Sequence, residues 1–352
     1  MQDARGKFSI FRSGVILGFV MALILGFAAH PDVMAKEKDQ FSFFPVVFNP
    51  SAPGTTGTIV YTVDSGTERE IYTKIVSSGV RARLTDNSAV DDMPSWAPDG
   101  SLIAFTSDRR KAGYFEIYTM DYDGSNPVQL TDSSGASAPR DDNSPSFSPE
   151  GDRIVFASDR NGPFQIFVMN SDGSGQTAIT ETDYQSGDPE WSADGTKIVF
   201  SSTASGALEI FTMNPDGSNM KRVTTGGPDF RPSWSPDGKQ IVFTSLRDGE
   251  RNIYVMNADG SDQKRLTDFY SDWADWSPDG ARIVFTKREA TGTQASGGPK
   301  DEGDLDAQAL FANSDNQEEV DSNLYTMKPD GSDRQIFAES PIMREDRGNW
   351  GP

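Results

Sequence analysis

Trp234-Ser235-Pro236-Asp237-Gly238 opens a phrase that continues through Ile241-Val242-Phe243 and Ile253-Tyr254-Val255-Met256 and closes on Leu266-Thr267. The phrase recurs along the chain. Its opening aromatic returns at Trp96, Phe147, Trp191, Trp276 and Trp350, with spacings of 51, 44, 43, 42 and then 74 residues in chain order. A first apolar core follows each time, as Ile103-Ala104-Phe105, Ile154-Val155-Phe156, Ile198-Val199-Phe200 and Ile283-Val284-Phe285. A second core ends in Met120, Met169, Met213 and Met327, and a short aliphatic-Thr pair closes the unit at Leu130-Thr131, Ile179-Thr180 and Val223-Thr224. Units of about 40–45 residues carrying four short strands are the length of one propeller blade.

The turns agree with this reading. Pro98-Asp99-Gly100 and its copies place proline where its fixed φ is wanted and glycine where φ must be positive. Asp123-Gly124, Asp172-Gly173, Asp216-Gly217, Asp259-Gly260 and Asp330-Gly331 serve the hairpin between the third and fourth strands. They need no ligand. Asp121-Tyr122-Asp123-Gly124 echoes the start of an EF-hand loop, but no Glu stands at the twelfth position and no helix pair flanks it.

One further copy lacks a full opening. Ile59-Val60-Tyr61, Ile71-Tyr72-Thr73 and Leu84-Thr85 supply the second to fourth strands, with Phe44-Pro45-Val46-Val47-Phe48 a weak candidate for the first. The chain ends on Asn349-Trp350-Gly351-Pro352, an opening strand with nothing after it. The expected fold is therefore all-β, a six-bladed propeller closed by the C-terminal strand pairing beside Thr58–Thr62.

The phrase Pro232-Ser233-Trp234-Ser235-Pro236-Asp237-Gly238, with Ile253-Tyr254-Val255-Met256 and Arg265-Leu266-Thr267, resembles the PD40, or WD40-like, repeat of TolB-like propellers. The resemblance spans residues 57–352 and implies the same ring. TolB proper carries an α/β domain ahead of its propeller; here only residues 36–56, read as a linker, separate a leader from the first blade. In that leader, Arg5, Lys7 and Arg12 precede an apolar run from Val15 to Ala29 and the small-residue site Val33-Met34-Ala35. Residues 1–35 read as a signal peptide cut after Ala35, with an uncleaved membrane anchor as the alternative; both put the propeller outside the cytoplasm, periplasmic or secreted. Residues 290–320, rich in Gly and Ser and then acidic, form an insertion in the last blade.

Chemistry is narrowed by what the chain lacks. It has no Cys, and its one His, His30, falls in the leader. Histidine triads, thiol nucleophiles, zinc thiolate sites and His-ligated metals are excluded from the mature chain, and no G-x-S-x-G elbow is present. A formal net charge of −21 argues against nucleic acid and favours basic groups or cations as partners. No cofactor is expected, with calcium a secondary possibility, and the chain is expected to be monomeric.

The candidate site comes from aligning the repeats. Five residues before each opening aromatic stand Asp91, Asp142, Ser186, Asp229, Ser271 and Glu345, and one step later Asp92, Asn143, Gly187, Phe230, Asp272 and Asp346. Placed on the connections between blades, they form a crown of carboxylates at one channel mouth, interleaved with Met93, Tyr184, Phe230, Tyr270 and Trp273. The predicted binding rim is Asp91, Asp92, Asp142, Asp229, Phe230, Asp272, Trp273, Glu345 and Asp346. The competing reading is that these acids cap turns or pair with Arg109, Arg160 and Arg247. Two functions stay open: a non-enzymatic module that grips a protein or envelope component through this mouth, or a carbohydrate-active or other hydrolytic enzyme using two rim carboxylates.

Overall fold

The computed structural model describes residues 42–48, 57–64, 69–132, 140–288 and 322–338. They form six four-stranded antiparallel sheets. Blade 1 is β1 (Ser42–Phe48), β2 (Thr58–Asp64), β3 (Arg69–Ile75) and β4 (Arg81–Arg83). Blade 2 is β5 (Asp91–Trp96), β6 (Leu102–Ser107), β7 (Glu116–Asp121) and β8 (Val128–Gln129). Blade 3 is β9 (Asp142–Phe147), β10 (Arg153–Ser158), β11 (Gln165–Asn170) and β12 (Thr177–Ala178). Blade 4 is β13 (Ser186–Trp191), β14 (Ile198–Ser202), β15 (Glu209–Met213) and β16 (Lys221–Arg222). Blade 5 is β17 (Asp229–Trp234), β18 (Gln240–Ser245), β19 (Asn252–Asn257) and β20 (Lys264–Arg265). Blade 6 is β21 (Ser271–Trp276), β22 (Ile283–Arg288), β23 (Ser322–Met327) and β24 (Gln335–Ala338). The first strand of each blade neighbours the first strand of the next, and β21 lies beside β1, so these six line the central channel.

The repeated residues hold one blade to another. Trp276 shares an apolar cluster with Val242 and Ile253 of blade 5 and Ile283 and Phe285 of its own blade. Trp234 bridges blades 4 and 5, Trp191 blades 3 and 4, and Trp96 blades 1 and 2 in the same way. All four indoles are buried, as expected of core rather than ligand-stacking residues. The closing Thr also has a fixed duty: the hydroxyls of Thr131, Thr180, Thr224 and Thr267 each accept the amide that begins the third strand's apolar core, at 2.9 Å. Gly260 marks a close approach, because a Cβ there would lie 2.2 Å from the Val223 carbonyl of the preceding blade. Its φ of +91° suits glycine for a second reason.

Six blades and closure at the first blade are as the repeats predict. The strand at the closing position differs. β2 pairs with β1 on one edge and β3 on the other, so the place assigned to Asn349–Gly351 is held by Ser42–Phe48. Residues 349–351 lie outside the described residues. The correction has a simple cause: the Phe-Phe-Pro-Val-Val-Phe run has strong strand character, and Pro45, which has no amide to donate, falls at a register shift between Phe44 and Val46. β1 thus belongs to the propeller although residues 36–56 read as a linker. The leader and the 290–320 insertion lie outside the described residues; among the described ones, no helix is long and apolar enough to cross a membrane.

Candidate functional site

The channel wall is built from a repeated irregularity. In blades 2 to 6 the innermost strand pairs with its neighbour for two residues, skips two, and pairs again. In blade 5, Asp229 and Phe230 face Ser245 and Thr244, after which Ser233 and Trp234 face Val242 and Ile241. The third residue of the strand sits in the left-handed region in five blades: Met93 (φ 51°), Ser144 (51°), Asp188 (49°), Arg231 (53°) and Trp273 (52°). Side chains bearing a Cβ avoid this region, and each such residue costs on the order of 1 kcal/mol or more. Proline follows in four of the five blades, at Pro94, Pro145, Pro189 and Pro232, where the unpaired step needs no amide donor.

These third residues, with Ser95, Ser146, Glu190, Ser233 and Asp275 two positions later, line a channel cavity of about 310 Å³. Pro98 and Pro149 complete it, which places the cavity toward the hairpins joining first and second strands. Its wall has two unlike arcs. Blades 2 and 3 contribute Met93, Ser95, Ser144 and Ser146, and the Ser144 hydroxyl lies 3.2 Å from the Met93 sulfur. Blades 4 to 6 contribute Asp188, Glu190, Arg231, Trp273 and Asp275.

The charged arc is densely bonded. Arg231 stacks 3.6 Å over the Trp273 ring and bonds the Asp272 carboxylate. Asp272 also receives Arg251 at 2.6 Å and the Thr244 hydroxyl at 2.8 Å. Asp188 accepts from Ser201 at 3.1 Å and the Arg231 amide at 3.3 Å, and burial raises its pKa despite the nearby guanidinium. Glu190 and Asp275 converge on Ser233, whose hydroxyl lies 3.5 Å from the first and 2.6 Å from the second. The Trp234 amide donates to Glu190 at 3.0 Å, and the Trp276 amide to Asp275 at 2.8 Å. Burial, and then the Asp275 charge, push Glu190 well above the usual carboxylate range.

The predicted rim is placed otherwise. Asp91, Asp142 and Asp229 begin the innermost strands at the other end of the channel wall and are 0% exposed. Arg109, Arg160 and Arg247 bond them at 2.9, 2.6 and 2.7 Å, so the pairing alternative is the arrangement observed. Each arginine also bonds Ser107, Ser158 or Ser245 through its Nε and lies over the aromatic rings of its blade's second and third strands. Burial still outweighs the ion pair at Asp142, whose pKa rises to about 6, and raises Asp229 as well. Asp92 is buried against Arg69 at 2.7 Å, and Asp272 is enclosed as described above. Phe230 is 1% exposed, so its expected exposure is corrected. Trp273 is also largely buried, yet it lines the cavity. Glu345 and Asp346 lie outside the described residues. Among the described residues, no group of three or more His, Cys, Asp or Glu converges on a point that could hold a metal ion.

Sequence reasoning missed Asp188, Glu190, Arg231, Ser233 and Asp275. The available signal was divergence inside the repeat. The residues just before and just after the repeated proline vary among Met, Ser, Asp, Arg, Trp and Glu, while the flanking phrase stays fixed. A second signal was arithmetic: Asp91, Asp142 and Asp229 each stand 18 residues before their arginine, and where Ser186 replaces the Asp, the partner position holds Ala204.

Comparison with known proteins agrees with this architecture. The family described as the TolB beta propeller domain (PD40) matches residues 173–319, and the dipeptidyl peptidase IV N-terminal region matches residues 59–230. A TolB homolog of Chlorobium luteolum is 34% identical, over 34% of this chain and 35% of its own length. The chain spans only 28% and 35% of the length of the first two curated relatives it matches. A solved structure assigned as TolB from Agrobacterium tumefaciens superposes with a TM-score of 0.61 at 21% identity, covering 76% of this chain and 87% of that one. An oligogalacturonate lyase from Vibrio parahaemolyticus superposes at 0.53 with 12% identity, covering 86% and 85%. At such identities the structures speak to fold alone. The chain is a six-bladed propeller, similar over residues 173–319 to the TolB beta propeller domain.

Proposed function

We propose that this chain is a non-enzymatic, extracytoplasmic binding propeller that engages a protein or cell-envelope partner through the hairpin-side mouth of its central channel. The observation that carries this reading is the set of five strained, repeat-equivalent residues whose side chains differ and line one cavity. Structural repeats keep a costly conformation most readily where it presents a surface. The acidic arc and the net charge of −21 favour a partner with basic groups, and Trp273 offers an aromatic edge beside them. The similarity to TolB proteins and the charged, apolar leader support a place in the envelope.

The hydrolytic alternative rests on one feature, the Glu190–Asp275 pair in the cavity. Ser233 stands between the two carboxyls, and backbone amides tie down both. That arrangement leaves the pair facing its own serine rather than a scissile bond.

The test is affinity capture from envelope extract with the immobilised propeller, comparing wild type with Ser146→Trp, which fills the uncharged arc. Loss of the same partner in a variant that melts normally supports the reading. Undiminished capture by the blocked channel overturns it. Hydrolysis of a glycoside by wild type but not by Glu190→Gln would establish the alternative.

A further inference from the structure

We propose that the cleft between the hairpin ends of blades 5 and 6 binds the side chain of an arginine presented by a partner protein. The cleft shares no wall residue with the channel cavity, so the inference does not rest on the use proposed for the channel.

The repeat supplies its own comparison. One residue stands immediately before the Ile of the second strand in blades 2 to 6: Leu102, Arg153, Lys197, Gln240 and Arg282. Leu102 packs on the cluster that holds Phe147, the opening aromatic of the next blade. Arg153 lies over the ring of Trp191, again the next blade's opening aromatic, 4.7 Å from its centroid. Lys197 donates to Asn214 at 2.7 Å, and Arg282 to Thr326 and Asp333 at 3.0 and 2.9 Å, all within their own blades. Gln240 differs. Among the described residues it makes only backbone hydrogen bonds, and with Trp276 of the next blade it lines a cleft of about 390 Å³.

The wall of this cleft has the chemistry that a guanidinium needs. Trp276, Pro236 and Pro278 form its apolar side, and Asp237 and Asp279 supply charge. Asp279 spends Oδ1 on the Ser277 hydroxyl at 2.6 Å and the Ala281 amide at 2.9 Å. Those bonds hold its carboxyl below the usual range, and Oδ2 is left to accept from outside. Asp237 is held at about 2, first by Lys239 and then by Ser235. Its pair with Lys239 is solvent-exposed and therefore weak. A second cleft of about 560 Å³ adjoins the first through Gln240 and Pro329. Its own cations, Lys264 and Arg265, are already paired with Asp262 and Asp248, so they do not neutralise the acids next door. A planar guanidinium can lie against an aromatic ring while its edge donates to a carboxylate, which an ammonium does less well. An arginine from a partner would thus do between blades 5 and 6 what Arg153 does between blades 3 and 4.

The experiment follows the Trp276 indole N–H resonance of the whole chain, isotope-labelled at tryptophan nitrogen, during titration with acetyl-Ala-Arg-Ala-amide or acetyl-Ala-Gln-Ala-amide. The arginine peptide should shift the resonance saturably, and the glutamine peptide should not. Gln240→Arg fills the cleft from within, so this variant should fold and show no peptide-dependent shift. Asp279→Asn keeps an oxygen for both turn bonds and should weaken binding about three- to five-fold. A wild-type resonance unmoved by the arginine peptide would overturn the proposal, as would equal shifts from the two peptides or undiminished binding to Gln240→Arg. If Gln240→Arg does not fold, Asp279→Asn decides against wild type: weaker binding supports the site and equal affinity overturns it.

Discussion

The two ends of the channel wall differ in what the repeat leaves unspent. At the start of the innermost strands, Asp91, Asp142 and Asp229 are each matched by an arginine of the same blade. Every blade that supplies the acid there also supplies its partner, so the acids are internal to the scaffold. Toward the hairpin side, Met93, Ser144, Asp188, Arg231 and Trp273 share one backbone conformation but no chemistry. Repetition of residue and partner together indicates structure. Repetition of geometry with changing residues indicates a surface that can be specialised.

The largest effect expected concerns the frame that both ends share. Trp234→Ala should cost about 3–5 kcal/mol, because the indole fills the gap between blades 4 and 5. Urea unfolding would measure it, and a loss below about 1 kcal/mol would mean that the blades do not depend on these rings.

Next comes the scaffold end. Arg247→Ala leaves Asp229 buried without its guanidinium and strips the cover from Phe243 and Tyr254. A loss of about 3 kcal/mol is expected. Exchanging Asp91, Asp142 and Asp229 together for Asn should lower the melting point severely. A triple variant as stable as wild type would return these acids to the role of a free rim.

A smaller effect distinguishes the ends by pH. Burial holds Asp142 at about 6, and burial with the neighbouring Asp159 charge holds Asp141 at about 6. Raised folded-state pKa values mean that these groups favour the fold below their unfolded pKa near 4 and withdraw that support as pH climbs through about 6. Stability should therefore decline between about pH 5 and pH 7, and Asp142→Asn should flatten part of that decline. A rise over the same interval would contradict the burial of these carboxyls.

The smallest effect should lie at the cavity. Ser146→Trp is expected to change stability by no more than about 0.5–1 kcal/mol, because the side chain points to open volume rather than packed core. Thermal melting checks it, and a large loss would show that the cavity cannot admit a guest.

The blades were legible because each is written as a phrase: aromatic, Pro-Asp-Gly turn, two apolar cores and Leu-Thr. β1 was harder to place because Phe44–Phe48 has strand-forming residues but none of the phrase, and two segments competed for one edge of β2. The rim acids were visible as a column, and their arginines were visible too. Choosing between crown and pairing required burial, which no periodicity encodes. The cavity was the least legible part. A left-handed φ at Arg231 leaves no trace in hydrophobic patterning, and Glu190, Ser233 and Asp275 meet only after three blades have closed side by side.

The most direct test of the division between scaffold end and proposed binding end is parallel capture of one envelope partner by two folded variants, Ser146→Trp in the cavity and Arg109→Met at the other end. The account predicts that Ser146→Trp loses the partner at an unchanged melting temperature, while Arg109→Met melts lower but still captures it below that temperature. Capture retained by Ser146→Trp and lost by folded Arg109→Met would contradict it.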